Sequence, residues 1–239
     1  MLWEQQLSKP VENLAIRDLR DPRDVGTFTT AEAAHYLRLP IATVRRWTVG
    51  QQAAALVIPA DRLGHTALLS FTNLIELHVL AAMRRDHGLD FAAIRSAVNY
   101  VASQLGDARP LAHRDFATDG VSLLVQHSGA LINASRRGQL AIAVVLQSYL
   151  QRIERDAVGL AQRFYPFTRS GDENRQPRVV VIDPRLAFGR PAIACVGVST
   201  AAVAGRYRRG ESPVELAADF RCSVPDIEEA LRCELRDAA

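Results

Sequence analysis

Residues 28–47 read FTTAEAAHYLRLPIATVRRW, a pattern typical of two short helices joined by a tight turn. Thr29 is placed to cap the first helix, because Glu32 follows three residues later and can complete a capping box. The small side chains of Ala33 and Ala34 would allow a second helix to cross close by. The sequence therefore predicts a helix pair, around which we expect the N-terminal half to be built.

The second helix of this pair combines an apolar inner side with a basic outer side. The apolar inner positions of the helix pair as a whole are those of Leu37, Leu39, Val44 and Trp47. We expect Thr43, Arg45 and Arg46 to point outward. The stretch that begins at Ala42 would then enter a DNA major groove, which accepts a short helix with small and guanidinium side chains. The alternative is an ordinary pair of crossed helices whose arginines are solvated.

Two short apolar runs follow the helix pair, at residues 54–59 and 67–71. A glycine-containing turn at residues 61–65 separates them, so we predict a β-hairpin. A hairpin directly after a recognition helix would be a wing, and Arg62 and His65 at its tip could contact a phosphate or the minor groove. An ordinary polar turn explains the same residues equally well.

Helical patterns follow at residues 73–86 and 91–104. The first is apolar on nearly every side, so other elements must cover it all round. The order of helix pair, hairpin and two helices resembles the DNA-binding domain of MerR-type regulators over about residues 27–104, and the GLDFAAIRSAV stretch at 88–98 is similar to a pattern of that family. Arg38 stands where the family has a turn glycine, so we expect a strained or rearranged turn there.

Residues 105–168 form a central region of different character. Short apolar runs at 121–125 and 130–132 lie between glycines and predict a small antiparallel sheet. Residues 139–152 return to helical period, and residues 155–167 could hold one or two further strands. We assign this region as a connector or a dimerisation region.

Residues 169–177 (RSGDENRQP) are strongly polar and are predicted to be a linker. A β-branched run at 178–182 predicts a strand, and Ser212 with Glu215 forms a second capping-box pattern. Three helices are predicted, at residues 200–209, 212–220 and 224–235. The fold class is therefore predicted as mainly α with small β elements (α+β): an N-terminal winged helix-turn-helix, a central sheet plus helix, and a trihelical domain at 178–239.

The C-terminal part is similar to a small bacterial domain of uncharacterised function that occurs in VapB-type antitoxins. The matching positions are Ile182, Gly189, Pro191, Ile193, Gly210, Ser212, Glu215, Leu216, Ala217, Ile227 and Ala230. The resemblance implies an antitoxin of a type II toxin–antitoxin pair. Such a protein would neutralise a PIN-domain ribonuclease by direct binding and repress its own operon as a DNA-bound homodimer.

Arg206, Arg208 and Arg209 are candidates for contact with the toxin, whose active site would be a cluster of carboxylates. The alternative for these residues is a solvated basic helix end. Two other functions stay open. A MerR-type regulator that responds to a ligand, without a toxin partner, predicts an apolar pocket within residues 105–168, whereas a pure interaction module would have no DNA function.

The 239 residues carry a net charge of +3, so any binding of nucleic acid must come from local patches. Residues 1–26 are assigned as a leader with a short helix around 11–20. The three cysteines, Cys195, Cys222 and Cys233, lack the spacing of a disulfide framework or a zinc site. We expect no metal, no cofactor, no catalysis, no membrane span and a cytoplasmic location.

Overall fold

The computed structural model describes residues 21–48, 58, 61–63, 66–87, 91–107, 109–113, 116, 120–131, 136–169 and 176–235. The leader helix predicted at residues 11–20 lies outside this part, as does the strand predicted at 54–59 apart from Ile58. The described residues are mainly helical, with small antiparallel sheets. This confirms the predicted α+β fold class.

The helices of the described part are α1 (Thr30–Leu37), α2 (Ile41–Thr48), α3 (Phe71–His87), α4 (Phe91–Leu105), α5 (Val121–Leu131), α6 (Arg136–Leu150), α7 (Thr200–Tyr207), α8 (Pro213–Phe220) and α9 (Val224–Glu234). The strands are β1 (Phe28–Thr29), β2 (Asp61–Leu63), β3 (Thr66–Leu69), β4 (Ile153–Arg155), β5 (Ala161–Phe164), β6 (Val180–Val181) and β7 (Ala192–Ile193). They pair as three antiparallel sheets, in the orders β1-β3-β2, β4-β5 and β6-β7.

The N-terminal sheet places the hairpin differently from its prediction. Strand β2 pairs with β3, and Arg62 lies opposite Ala67 in this register. Residues 61–63, which were predicted to be part of the turn, are therefore strand.

Helix α3 is the centre of the core, as its apolar sequence predicts. Leu74, Leu77 and Leu80 are fully buried, and the helix packs against α1, α6 and the short 3-10 turn at Pro110–Ala112. His78 is also buried, with Nε2 3.0 Å from the carbonyl oxygen of Tyr149. Elements from the N-terminal and central regions thus share one core.

The prediction of strands at residues 121–125 and 130–132 is wrong for the described residues. Helix α5 occupies Val121–Leu131 instead. Val121, Leu124 and Val125 are buried while Ser122 is exposed, which is the three-to-four residue spacing of a helix face. The central strands are β4 and β5; β5 lies within residues 155–167, which were predicted to hold one or two strands, whereas β4 begins two residues before that stretch.

The C-terminal unit consists of β6, β7 and helices α7–α9 around a small core of its own. That core contains Ile193, Val203, Leu216, Ile227 and Ala230. Arg152 connects the central region to the segment that leads into this unit. Its buried guanidinium donates hydrogen bonds to four backbone carbonyls, including those of Tyr165 and Pro177. Burial lowers the pKa of Arg152 to about 10.

Candidate functional site

Helices α1 and α2 form a pair that is closed by local hydrogen bonds. The Thr29 backbone donates to the Glu32 carboxylate at 2.8 Å, and the Glu32 backbone donates to the Thr29 hydroxyl at 3.2 Å, which completes the predicted capping box. Arg38 ends α1 in the left-handed conformation, with φ 56°. The strained turn expected at Arg38 is thereby confirmed.

The outer face of α2 carries part of the predicted set. Ala42, Arg45 and Arg46 are exposed. Thr43 is 9% exposed, so the expectation that it points outward is wrong. Thr43 lies four residues before the buried Trp47, and residues at that spacing share one face of a helix.

Two arginines stack on one aromatic ring beside α2. The guanidinium carbon of Arg46 lies 4.9 Å from the centroid of the Phe91 ring, and that of Arg95 lies 5.4 Å from it. The exposed surface of α2 therefore continues as a basic patch onto the start of α4. Sequence reasoning missed Arg95, although its spacing of four residues from Phe91 is a usable signal.

Of the two predicted hairpin residues, Arg62 lies in β2, whose backbone pairs with β3. His65 lies outside the described residues.

Helices α8 and α9 repeat the backbone pattern of α1 and α2. The Ser212 backbone donates to the Glu215 carboxylate at 2.8 Å, and the Glu215 backbone donates to the Ser212 hydroxyl at 3.3 Å. Arg221 ends α8 in the left-handed conformation with φ 56°, as Arg38 ends α1. The sequence analysis predicted both helices and the Ser212 cap, but it missed that they repeat the pattern of the first pair. The signal was the repeat of a hydroxyl cap, a glutamate and an arginine at equal spacing.

The second helix of this pair is acidic where α2 is basic. Glu228 and Glu229 occupy the positions in α9 that Arg45 and Arg46 occupy in α2. Glu229 is 1% exposed, and its carboxylate accepts hydrogen bonds from Arg169. Burial by itself raises the pKa of Glu229, but hydrogen bonds from Arg169 and Arg232 bring the net shift of that pKa below the ordinary value.

Helix α9 also packs against the N-terminal unit. The His35 ring nitrogen Nε2 lies 2.8 Å from the carbonyl oxygen of Cys233, and Arg190 forms an ion pair with Glu32 at 2.6 Å. The two helix pairs therefore contact each other through α1 and the end of α9.

The predicted toxin-contact arginines differ from one another in the structure. Arg206 forms ion pairs with Glu211 and Asp219, and its guanidinium stacks on the Phe220 ring at 5.0 Å. Arg208 and Arg209 are exposed. Arg206 is thus engaged within its own unit, whereas the two arginines that follow it face solvent.

A cavity of about 280 Å³ reaches the central region, where an apolar ligand pocket was one expectation. Its lining includes both apolar residues, such as Leu160 and Ala161, and charged ones, such as Arg23 and Arg109. Arg23 is paired with Asp156 at 2.6 Å, and Arg109 is paired with Glu76 at 3.1 Å. The two arginines of this wall are therefore each held by a carboxylate of the protein.

Two kinds of feature are absent from the residues that the structure describes. None of the described helices has the length and apolar character needed to cross a bilayer. The described His, Cys, Asp and Glu side chains form no group of three that could hold a metal ion.

Comparison with known proteins shows what the chain is similar to. Residues 180–232 match the family described as "Protein of unknown function (DUF433)". Over 232 residues the chain is 30% identical to the protein titled "Putative antitoxin VapB45" from Mycobacterium tuberculosis, covering 87% of this chain and 93% of that protein. The fold is similar to the crystal structure of Rv2018 from Mycobacterium tuberculosis, with a TM-score of 0.67 and 28% identity, covering 87% of this chain and 98% of the other.

Proposed function

The chain belongs to the family of the antitoxin VapB45, and we propose that it is the antitoxin of a toxin–antitoxin pair. It acts by binding, without catalysis, and it neutralises a PIN-type ribonuclease in the cytoplasm while repressing its own operon on DNA. The observation that carries the proposal is the 30% identity to the protein titled "Putative antitoxin VapB45", over 87% of this chain and 93% of that protein. An antitoxin implies a toxin partner.

In this proposal the DNA is read by α2 as the second helix of a winged helix-turn-helix. Ala42, Arg45 and Arg46 supply an exposed surface with two guanidiniums, a chemistry that suits guanine edges and phosphates. Thr43 supports this helix from its buried side. Arg62 and His65 are assigned to the hairpin that would contact the DNA backbone.

The proposed homodimer uses the outer face of α6. Leu140 is 67% exposed and Val144 is 66% exposed, one helical turn apart. The sequence from residue 138 to residue 151 contains no charged side chain. Homodimer interfaces are depleted of charge, and a two-fold contact pairs a surface with itself, so an uncharged stripe is well suited to self-association. Two copies would also present two recognition helices to a palindromic operator.

The proposed toxin contact includes the end of α7. Arg208 and Arg209 are exposed and could meet carboxylates of the ribonuclease, whereas Arg206 holds the helix end in place through Glu211. A ligand-responsive regulator without a toxin partner is less well supported, because the relative that matches over most of the chain is titled an antitoxin.

The test is co-expression of the full chain with the PIN-type ribonuclease encoded beside it. We expect a stable complex, loss of ribonuclease activity in that complex, and a gel shift of the operon's own promoter DNA. A chain that elutes alone and leaves the ribonuclease active would refute the antitoxin assignment.

For the dimer, Leu140→Glu should yield a monomer by light scattering, while Gln147→Glu on the rim of the same face should change the mass less.

A further inference from the structure

The loop at residues 183–191 (DPRLAFGRP) has an unusual backbone. Ala187, Phe188 and Gly189 follow one another with φ values of 47°, 56° and 76°. Glycine adopts this left-handed conformation freely, but alanine and phenylalanine seldom do. Non-glycine residues persist there when the surrounding structure fixes them, and such residues cluster at functional sites.

Hydrogen bonds on both sides fix this loop. The buried Asp183 accepts from the backbone of Arg185 at 2.9 Å and from the guanidinium of Arg163 at 3.0 Å. At the other end, the guanidinium of Arg190 donates to Glu32 at 2.6 Å and lies over the Phe28 ring. The loop is therefore held in one conformation before any partner arrives.

Phe188 stands out from the protein on this loop. It is 94% exposed, more than any other large apolar side chain of the described part, among which Leu140 follows at 67%. A cavity of about 400 Å³ lies beside it, with Tyr36, Arg190 and Ser199 in its wall. An aromatic ring on a rigid support loses little side-chain entropy on binding, which is why such rings dominate the energy of protein interfaces.

The charges around Phe188 indicate the chemistry of the partner. Arg185 is exposed, and its side chain forms no ion pair with the described residues. Arg190 is the other basic residue of the loop, and the loop's single acidic residue, Asp183, is buried. Because Arg190 is paired with Glu32, Arg185 is the basic group that this loop offers to a partner, and a positive group complements an acidic surface.

We propose that Phe188 is the apolar anchor of the toxin contact: its ring enters an apolar pocket on the ribonuclease, and Arg185 pairs with carboxylates at the rim of that pocket. This inference rests on the proposed antitoxin function and adds the surface through which it acts. Arg208 and Arg209 then belong to the surrounding polar contacts of the same complex.

A protein fits this surface better than a small ligand or a second copy of the chain. Phe188 forms one edge of the cavity, and because its ring is almost fully exposed, it would leave a small ligand there largely open to solvent. A two-fold contact through this loop would bring Arg185 towards Arg185 of the other copy, and like charges oppose such a contact.

The experiment measures the dissociation constant between the full-length chain and the PIN-type ribonuclease of the same operon. Phe188→Ala should weaken binding by about 10- to 100-fold, as truncation of an interface hot spot does. Val158→Ala is the matched control, because Val158 is 66% exposed and lies in the β4–β5 turn. We expect no change in affinity for this control.

Phe188→Gly separates a binding role from a structural one. Glycine tolerates a φ of 56°, so this variant should unfold at the same temperature as the wild type or a higher one, and yet bind the ribonuclease weakly. A structural role predicts a lower melting temperature instead.

The outcomes distinguish the two proposals. If the wild type does not bind the ribonuclease, the antitoxin function fails. If the wild type binds and Phe188→Ala binds equally well, the function stands and the anchor is refuted. If Phe188→Ala instead turns a dimer into a monomer by light scattering, the loop is a contact between copies, and the toxin assignment of this surface is overturned.

Discussion

The helix pairs α1–α2 and α8–α9 share a backbone design and differ in surface chemistry. Each begins with a capping box, and each changes direction at a left-handed arginine, Arg38 in one and Arg221 in the other. The second helix then presents Arg45 and Arg46 in the first pair, and glutamates at the same positions in the other. Local hydrogen bonding therefore sets the helix pair, while the residues on its outer face decide what the pair can bind.

The second helices of the two pairs, α2 and α9, also differ in their surroundings. The basic face of α2 is open to solvent, and its Arg46 rests on the Phe91 ring. Helix α9 directs Glu229 into the protein, where Arg169 binds it, and its end contacts α1 through Cys233. One pair is free to meet a partner with its second helix, and the other uses that helix to join two parts of the chain.

The largest expected effect tests whether α1–α2 binds DNA and α8–α9 does not. The double variant Arg45→Ala with Arg46→Ala should weaken operator binding by about 100-fold or more, since each arginine contact to a base edge contributes about 1–3 kcal/mol. Fluorescence anisotropy with labelled operator DNA measures this loss. Glu228→Ala, at the position in α9 that corresponds to Arg45, should leave the DNA affinity unchanged.

A second control removes an ambiguity in that experiment. Arg46 stacks on Phe91, so its loss could disturb α4 as well as a DNA contact. Arg95→Ala removes the other guanidinium from the same ring and should weaken binding far less than the double variant. Equal losses in both would mean that packing around Phe91, and not base contact, accounts for the effect.

The next largest expected effect is a loss of folding stability when Glu229 of α9 is replaced. Glu229→Gln should lower the free energy of unfolding by about 1–3 kcal/mol, because buried hydrogen bonds from charged groups are lost or weakened. The neighbouring exposed Glu228→Gln should change it by less than about 0.5 kcal/mol. Urea unfolding followed by circular dichroism compares the two variants. Similar values for both would contradict a structural role for Glu229.

The dependence of folding stability on acidic pH tests the same structural role of Glu229. Glu229 has a lowered pKa in the folded chain, so its contribution is complete above the unfolded pKa of about 4.3 and is lost as the pH falls through the folded pKa. Below about pH 4.3 the wild type should lose stability more steeply than Glu229→Gln, by at most about 1.4 kcal/mol per pH unit. Urea unfolding across this range measures both slopes, and parallel curves would exclude Glu229 as the titrating group.

The sequence predicted well what adjacent residues determine. The start of α1 follows from Thr29 and Glu32, and the start of α8 follows from Ser212 and Glu215, because each cap bonds within three residues. The strand prediction failed at α5, since a short apolar run between glycines has no clear period and strand and helix readings compete.

Residues that act across the chain were harder to predict. The burial of Thr43 depends on its position four residues before Trp47 in the core, and that of Glu229 depends on Arg169, which lies sixty positions earlier in sequence. The exposure of Phe188 has the same character, because an aromatic residue between alanine and glycine gives no sign of facing solvent. Such placements follow from tertiary packing, which overrides local pattern.

The smallest expected effect compares the two left-handed arginines directly. Arg221→Gly should raise the free energy of unfolding by about 0.5–1 kcal/mol, because glycine relieves a left-handed strain of about 1–2 kcal/mol and gives part of it back as chain entropy. Arg38→Gly relieves the same strain but also removes a guanidinium that donates to the carbonyl oxygen of Thr168.

A net hydrogen-bond contribution of about 0.5–1.5 kcal/mol offsets the relief at Arg38, so that variant should show little gain or a small loss. Thermal unfolding of both variants on the same background measures the difference. An equal gain in each would mean that the Arg38 side chain contributes nothing to the fold. A gain at Arg221 alone would explain why arginine is compatible with the turn after α1 despite the strain. The side chain of Arg38 bonds that turn to the central region, whereas Arg221 is exposed.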